Sequence, residues 1–445
     1  MREALLTGTN VIDTAANYGD GASESLVGDV LRELIAASRL RRDQVVILSK
    51  LGYLQGDRLA EYRARSRQSS EVVEFDRNLC HCIAPDFLRG QLRMSMRRLG
   101  LETLDVLLLH NPEYFLHDAR RRGVPAAEAR GEYERRLARA FECLEELVDE
   151  GVIAAYGVSS NTLPAPAEDY TATHLDRLIE LSGEHFRVIQ FPGNMIESDY
   201  RFSRRASGGS LPALIEEHKL WALLNRPLNA RGPSDSLYRL ARMVEYPPDE
   251  GAGIVAEMNR LLGTLRSTEN RLRELHEDRM FDFDGRTPAL SALFQEYRAR
   301  IGTQDHLQHV MPGLSEQIQR TINYLASIAT TDPRRYALEN YTRLGNRLLA
   351  LWDRYIAARH HNRTRKLEEV LAGSTPALAD RPLAVQALLF LLAARMPQTI
   401  LVGMRRREYV DQLRAVYRSS PPSESDLFGI LNAALETIEG GEKDE

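Results

Sequence analysis

Apolar and polar positions in this chain alternate between two periods. Residues 23–38 (SESLVGDVLRELIAAS) set Leu26, Val27, Val30, Leu31, Leu34 and Ile35 at helical spacing, with Ser23 as the expected N-cap. The run VVILSK at 45–50 is continuously apolar, the pattern of a strand buried on both faces of a parallel sheet, yet it closes on a lysine. Residues 53–82 are polar, Arg-rich and irregular and read as a long loop. A helix is expected from Pro85, a second buried strand over 104–113 (LDVLLLHNPE), and a polar stretch reaching residue 128. A long helix over 130–150 follows, with Leu137, Phe141, Leu144 and Val148 on its inner face. GVIAAYGVSSN (151–161), FRVIQF and LWALLNRPL (220–228) read as further strands, separated by the helices LDRLIELS and LPALIEEH. Strand and helix in strict succession predict a parallel sheet with crossover helices.

The succession stops near Gly232. Residues 233–375 carry only three-four spacing, for example Ile254, Met258, Leu261, Leu265, Leu272 and Leu275, or Leu338, Tyr341, Leu348, Trp352 and Tyr355. Such stripes suit helices packed on one another, and their Met and aromatic positions read as core. His360 and His361 read as decoration of a helix end. After Pro382 the mixed pattern returns with an apolar helix (PLAVQALLFLLAAR), a strand (QTILVGM) and an Arg-led helix (RRREYVDQLRAVY). SESDLFGILNAALETIE, capped by Ser423 or Ser425, is expected to close the fold, and GGEKDE to fray.

Composition narrows the function class. The 445 residues are 43% hydrophobic and 27% charged with a formal net charge of -5, which suits a soluble globular protein and argues against nucleic-acid or anionic-membrane partners. No apolar run reaches the length of a membrane span, and MREALLTG reads as a short helical piece rather than a signal peptide, so a cytoplasmic location is expected. The three cysteines, Cys80, Cys82 and Cys143, form no disulfide framework. Cys80-His81-Cys82 is too tightly spaced for a usual zinc knuckle and has no second pair to complete it, so no metal is expected.

The chemistry gathers at the strand ends, which carry Asp13, Lys50, His110, Ser159, Gln190 and Asn225. Barrels of parallel strands keep their catalytic groups at that end. The contexts DTAANYG, ILSK and LLLHNP, followed by GVIAAYGVSS, VIQFPGN, NRPL and LVGMRRREYV in order, resemble the aldo-keto reductases over residues 1–232 and 376–418. The resemblance implies an α/β fold, a (β/α)8 TIM-type barrel at 1–232 and 376–445, with an all-α helical insertion at 233–375. It also implies that the capping hairpin and first barrel strand are missing, because MREALLTG already matches the helix before the Asp strand.

The same resemblance implies NAD(P)H-dependent reduction of an aldehyde or ketone. Tyr18 becomes the general acid, Lys50 its electrostatic partner, Asp13 the anchor of Lys50, and His110 the group that orients the substrate oxygen. A phenol is a weak acid unless its anion is stabilised, which an adjacent ammonium achieves. A nicotinamide cofactor, NADPH or NADH, is expected at Ser159, Ser160, Gln190, Asn225 and Arg226. Its adenosine phosphate is expected at Gly403, Met404, Arg405 and Arg406. Many members carry an aromatic where Asn225 stands, and often an Asn where Ser160 stands, Asn161 coming one residue later. The alternative is a regulatory or partner-binding protein that keeps a nucleotide as a ligand, with the helical insertion as the surface for a protein partner or a second copy.

Overall fold

The computed structural model describes residues 1–64, 71–201, 210–232, 237–241, 250–275, 289–300, 304–375, 378, 380–393, 398–404, 406–421, 431 and 435–436. The chain divides into two compact units, residues 1–230 with 380–431, and residues 231–379 with 432–445.

The first unit is built on β1 (Val11–Asp13), β2 (Val46–Leu51), β6 (Leu104–His110), β7 (Ile153–Ser159), β8 (Phe186–Pro192), β9 (Trp221–Asn225) and β12 (Gln398–Ile400). They form one sheet in that order, with every pair parallel. Spatial order therefore equals chain order, the winding of a barrel rather than of a doubly wound sheet. Seven parallel strands are present among the described residues, and β1 and β12 are the sheet's two edges. The sheet is strongly curved, because Gln190 on β8 donates a 2.9 Å hydrogen bond to Asp13 on β1. Four strand spacings in a flat sheet would separate those strands by about 19 Å.

Period-two alternation splits each strand between two cores. One row, Leu48, Val106, Leu108, Val188 and Leu223 with Val11, Val46 and Trp221, packs inside the curve. The other, with Ile47, Leu51, Leu107, Leu109, Val158, Ile189, Phe191, Ala222 and Leu224, packs against the helices. Stepping two residues along the inner row from Val11, Leu48, Leu108, Val188 and Leu223 reaches Asp13, Lys50, His110, Gln190 and Asn225. The polar groups are thus the last inward residues of strands whose earlier inward residues are apolar. Gly157 serves this inner face differently. A Cβ there would lie 1.7 Å from the Val188 carbonyl oxygen, so no other residue lets β7 and β8 approach as they do.

Several local expectations change. The stretch 53–82 is folded: β3 (Tyr53–Gln55), β4 (Val73–Asp76) and β5 (Leu79–His81) make an antiparallel sheet in the order β3-β5-β4, and Gly56–Arg63 is a helix. Strands of three or four residues are too short to show a period, and Leu54, Leu59 and Cys80 form only a small core of their own. The polar stretch before the long helix contains a helix at Tyr114–Arg121, anchored by buried Phe115, Leu116 and Ala119 within a charged sequence. The helix expected from Ser23 starts at Ala22 with Gly21 as its cap. Ser23 instead shares a 2.7 Å hydrogen bond with Thr14, and Glu24 turns inward to accept from Ser49 at 2.5 Å and from the Arg98 Nε at 2.7 Å. Of SESDLFGILNAALETIE only residues 431, 435 and 436 are described, all helical.

The second unit is helical apart from β11 (Leu237–Arg239), a short strand inside the stretch 233–375 expected to hold helices alone; β10 (Asn229–Arg231) spans the point in the chain where the first unit gives way to the second. Glu250–Leu275, Leu290–Arg300, Gln304–Ile328 and Asp332–Ser374 pack around Leu265, Leu272, Leu290, Tyr341, Leu348 and Trp352. Glu269 is buried in that core and receives the Ser291 N–H and hydroxyl and the Tyr341 hydroxyl. His360 and His361 lie within the 43-residue helix Asp332–Ser374 and are buried, not placed at its end.

Candidate active site

The loop after β1 carries Tyr18 into a short 3-10 turn, Tyr18–Gly21, which lies within reach of the end of β2. Lys50 Nζ stands 2.7 Å from Asp13 Oδ2, 3.2 Å from the Tyr18 hydroxyl and 3.0 Å from the Thr14 carbonyl oxygen. Lys50 is fully buried, whereas Tyr18 is 39% exposed. Burial alone would lower the ammonium's pKa, but the Asp13 carboxylate and the Tyr18 oxygen outweigh it and hold Lys50 above its ordinary value. An unpaired buried ammonium would cost several kcal/mol, so Asp13 is what allows Lys50 to sit there charged.

Asp13 is held from its other side as well. Gln190 Nε2 donates to Asp13 Oδ1 at 2.9 Å, while Gln190 Oε1 accepts from Ser159 at 2.9 Å and from Asn225 Nδ2 at 3.4 Å. The ends of β1, β2, β7, β8 and β9 thus share one hydrogen-bonded line from Asn225 and Ser159 through Gln190, Asp13 and Lys50 to Tyr18. Asn225 Oδ1 is buried without a hydrogen-bond partner among the described residues.

His110 closes one flank, its ring 6.0 Å from that of Tyr18 and edge-on to it. Burial, and the neighbouring Lys50 and His81, keep its pKa well below the usual histidine range, so the ring is neutral. Residues that strand periodicity did not single out support it. Tyr53 packs against His110 with ring centroids 4.6 Å apart, and its hydroxyl lies 2.6 Å from the donor Asn111 Nδ2 and 3.1 Å from the Tyr114 hydroxyl. His81, from the Cys80-His81-Cys82 segment, stands with Nε2 2.7 Å from the His110 carbonyl oxygen. That oxygen can only accept, so Nε2 carries the proton. Gly52, at φ +141°, leaves room for it, because a Cβ there would lie 2.5 Å from His81 Nε2. The three cysteines are free and buried. Among the described residues no group of three or more His, Cys, Asp or Glu is placed to hold a metal ion, and no helix is long and apolar enough to cross a membrane.

The remaining sequence-derived positions lie apart from this line. Ser160 is fully buried and turned into a hydroxyl cluster, 3.0 Å from Thr173 and 3.2 Å from Thr162. Arg226 adopts φ +54° and reaches Glu197 Oε1 at 3.3 Å. Gly403 and Arg406 are exposed and Met404 is half-buried, just before the helix Arg407–Tyr417; Arg405 lies outside the described residues. The next arginine, Arg407, is committed to Glu3 at 2.7 Å.

Comparison with known proteins gives this geometry a context. The model of the aldo/keto reductase family matches residues 1–177. The chain is 29% identical over 161 residues to the NADH-specific methylglyoxal reductase of Escherichia coli (strain K12), covering 36% of this chain and 39% of that protein. It is 28% identical over 191 residues to the D-threo-aldose 1-dehydrogenase of Pseudomonas sp, covering 42% and 50%. The chain thus spans half or less of the length of these two curated relatives. Among solved structures, a glycerol dehydrogenase from Gluconobacter oxydans aligns with 98% of this chain and 83% of its own, at 15% identity and a TM-score of 0.44. Over residues 1–177, the chain is thus similar to the aldo/keto reductase family.

Proposed function

We propose that the protein is an NAD(P)H-dependent oxidoreductase that interconverts a small carbonyl compound and its alcohol. The observation that carries this reading is the fully buried Lys50, bonded at once to Asp13 and to the half-exposed Tyr18. A lysine in that position has no packing purpose that an apolar residue would not serve better. It does have a chemical one: an ammonium beside a phenol stabilises the phenolate left when the phenol gives up its proton. Tyr18 then protonates the substrate oxygen. Asp13 keeps Lys50 charged and in place, Gln190 orients Asp13, and the neutral His110 ring supplies a hydrogen bond to the same oxygen.

The donor set suits a nicotinamide. Ser159, Gln190 and Asn225 stand together at three strand ends, and the orphaned Asn225 Oδ1 accepts what a carboxamide N–H donates. A bound dinucleotide supplies the hydride. Arg406, with Gly403, Met404 and Arg405, is proposed for its adenosine phosphate, where the arginine charge favours NADPH over NADH.

The test is consumption of NADPH and NADH with methylglyoxal, aldoses and a panel of simple aldehydes and ketones. Tyr18→Phe should lower kcat/KM by about 100-fold or more while leaving cofactor affinity within about twofold. Tight cofactor binding without turnover of any carbonyl overturns the enzyme and favours the regulatory nucleotide-binding alternative.

A further inference from the structure

One buried acid has no part in the chemistry above. Glu113 lies three residues beyond His110, is 1% exposed, and has no ion-pair partner among the described residues. Its Oε1 accepts the Asn161 N–H at 2.8 Å, and its Oε2 is buried with no hydrogen-bond partner among the described residues. A carboxylate so placed is costly to bury, and an apolar residue would fill the same space at less cost.

Its location gives it a use. His110 and Ser159 are register partners at the ends of β6 and β7, and the Asn111 N–H bonds the Ser159 carbonyl at 2.7 Å. Beyond Ser159 the backbone turns, and each N–H of the turn has a partner. Ser160 N–H goes to the Gln190 carbonyl at 2.9 Å, Asn161 N–H to Glu113, and Thr162 N–H to the Ser160 hydroxyl at 3.1 Å. Of these partners only Glu113 can change its charge.

We propose that Glu113 is a positioning residue: it holds the Ser159–Asn161 turn ready for the nicotinamide end of the dinucleotide, and the strength of that hold follows its ionisation. The inference rests on the oxidoreductase reading. As a carboxylate, Glu113 makes a charge-assisted bond to Asn161 and fixes the turn. Once protonated it offers a weaker acceptor, without the charge assistance. A less fixed turn binds its ligand less well, because more ordering is left to the binding step.

The ionisation falls in a useful range. Burial raises the Glu113 pKa to about 7, against the opposing effect of its own N–H, the Asn161 N–H and the nearby Ser160 hydroxyl. The titratable groups around it are shifted away from that range. Tyr114 on its own helix, Tyr53 on β3 and Tyr133 on the helix Ala126–Asp149 are all raised by burial, with the Glu113 charge adding to each. His110 is held well below its usual range and His81 is pushed down to about 4. His117, one turn along, is also lowered, by burial first.

The test is a fluorescence titration with NADH, which lacks the 2'-phosphate that would itself titrate near pH 6. Wild-type affinity should rise about fivefold between roughly pH 6 and pH 8 and then level off. Glu113→Gln keeps an acceptor for Asn161 but mimics the protonated acid, so it should bind at the wild type's acid-limit affinity at every pH. Wild-type protein should also release protons on binding NADH near pH 6.5, read by calorimetry in two buffers of different ionisation enthalpy, which settles the matter should the variant fail to fold. A flat wild-type profile, the same profile in Glu113→Gln, or no proton release overturns this inference alone. Failure of the wild type to bind NADH or NADPH at any pH overturns the oxidoreductase reading, and this inference with it.

Discussion

At the scale of the residue, His81 shows how a group outside the proposed chemistry can govern the site. It donates to the His110 carbonyl from a buried position where burial pushes its pKa down to about 4. The unfolded chain binds a proton at His81 below about pH 6.5, whereas the folded chain stays neutral there until about pH 4. The unfolded state therefore holds more protons in that window, and stability falls as pH falls through it, by up to about 3 kcal/mol. His81→Gln retains an N–H donor and removes the titration. Thermal denaturation followed from about pH 7 to pH 4 should show a shallower acid decline in the variant than in the wild type. An unchanged decline would place the acid sensitivity elsewhere. The tripeptide Cys80-His81-Cys82 looked like a bland loop segment in the sequence, and no periodicity could have revealed its role. The signal lies in a contact between residues 29 positions apart.

At the scale of the element, the parallel strands were legible because each is buried on two faces and so writes a continuous apolar run. Their ends were legible because a Lys, a His or a Gln closes such a run only when something pairs with it. The antiparallel sheet at 53–81 and the helix Tyr114–Arg121 were not, since their apolar contacts are few and separated by charged residues. Ser160 illustrates a further limit. Side-chain direction after a strand end depends on the turn, and here the turn sends Ser160 toward Thr162 and Thr173 rather than along the line of Ser159 and Gln190. The close approach of β7 and β8 makes a sharp prediction. Gly157→Ala puts a methyl group into the Val188 carbonyl, a backbone atom that cannot swing aside. It should destabilise the protein by about 3 kcal/mol or more, seen as a lower midpoint in urea unfolding or as loss of soluble protein. A midpoint within experimental error of the wild type would show that the two strands can part.

At the scale of the whole molecule, the chain holds separate hydrophobic cores. The sheet shares one with its helices and keeps a smaller one inside its curve, and the helices between Glu250 and Ser374 have their own around Trp352, which is 1% exposed and packs against Phe294. Three-four spacing marks the helices from Glu250 onward, because periodicity reports which kind of neighbour an element buries, whereas the three residues of β11 are too few to show a period. Trp352→Ala should cost the helical core about 3–5 kcal/mol. Hydrogen exchange should then quicken across the peptides of 250–371, while those of β2, β6 and β8 keep their protection. Loss of protection in both sets would mean that the cores unfold as one.

The bond between Gln190 and Asp13 has a mechanical consequence. β1 is an edge strand of three residues with a backbone ladder on one side only, among the described residues, and such strands are the first to peel away. Gln190 acts as a tie rod across the open curve, fastening β1 to a strand 177 residues later in the chain. The same bond that aims the carboxylate also resists the peeling of β1. Gln190→Ala should therefore loosen two things at once. Amide exchange in Val11–Asp13 should accelerate by about tenfold, as a lost hydrogen bond of about 1.4 kcal/mol implies, alongside the fall in turnover. Activity lost with β1 exchange unchanged would show that the strand needs no such fastening.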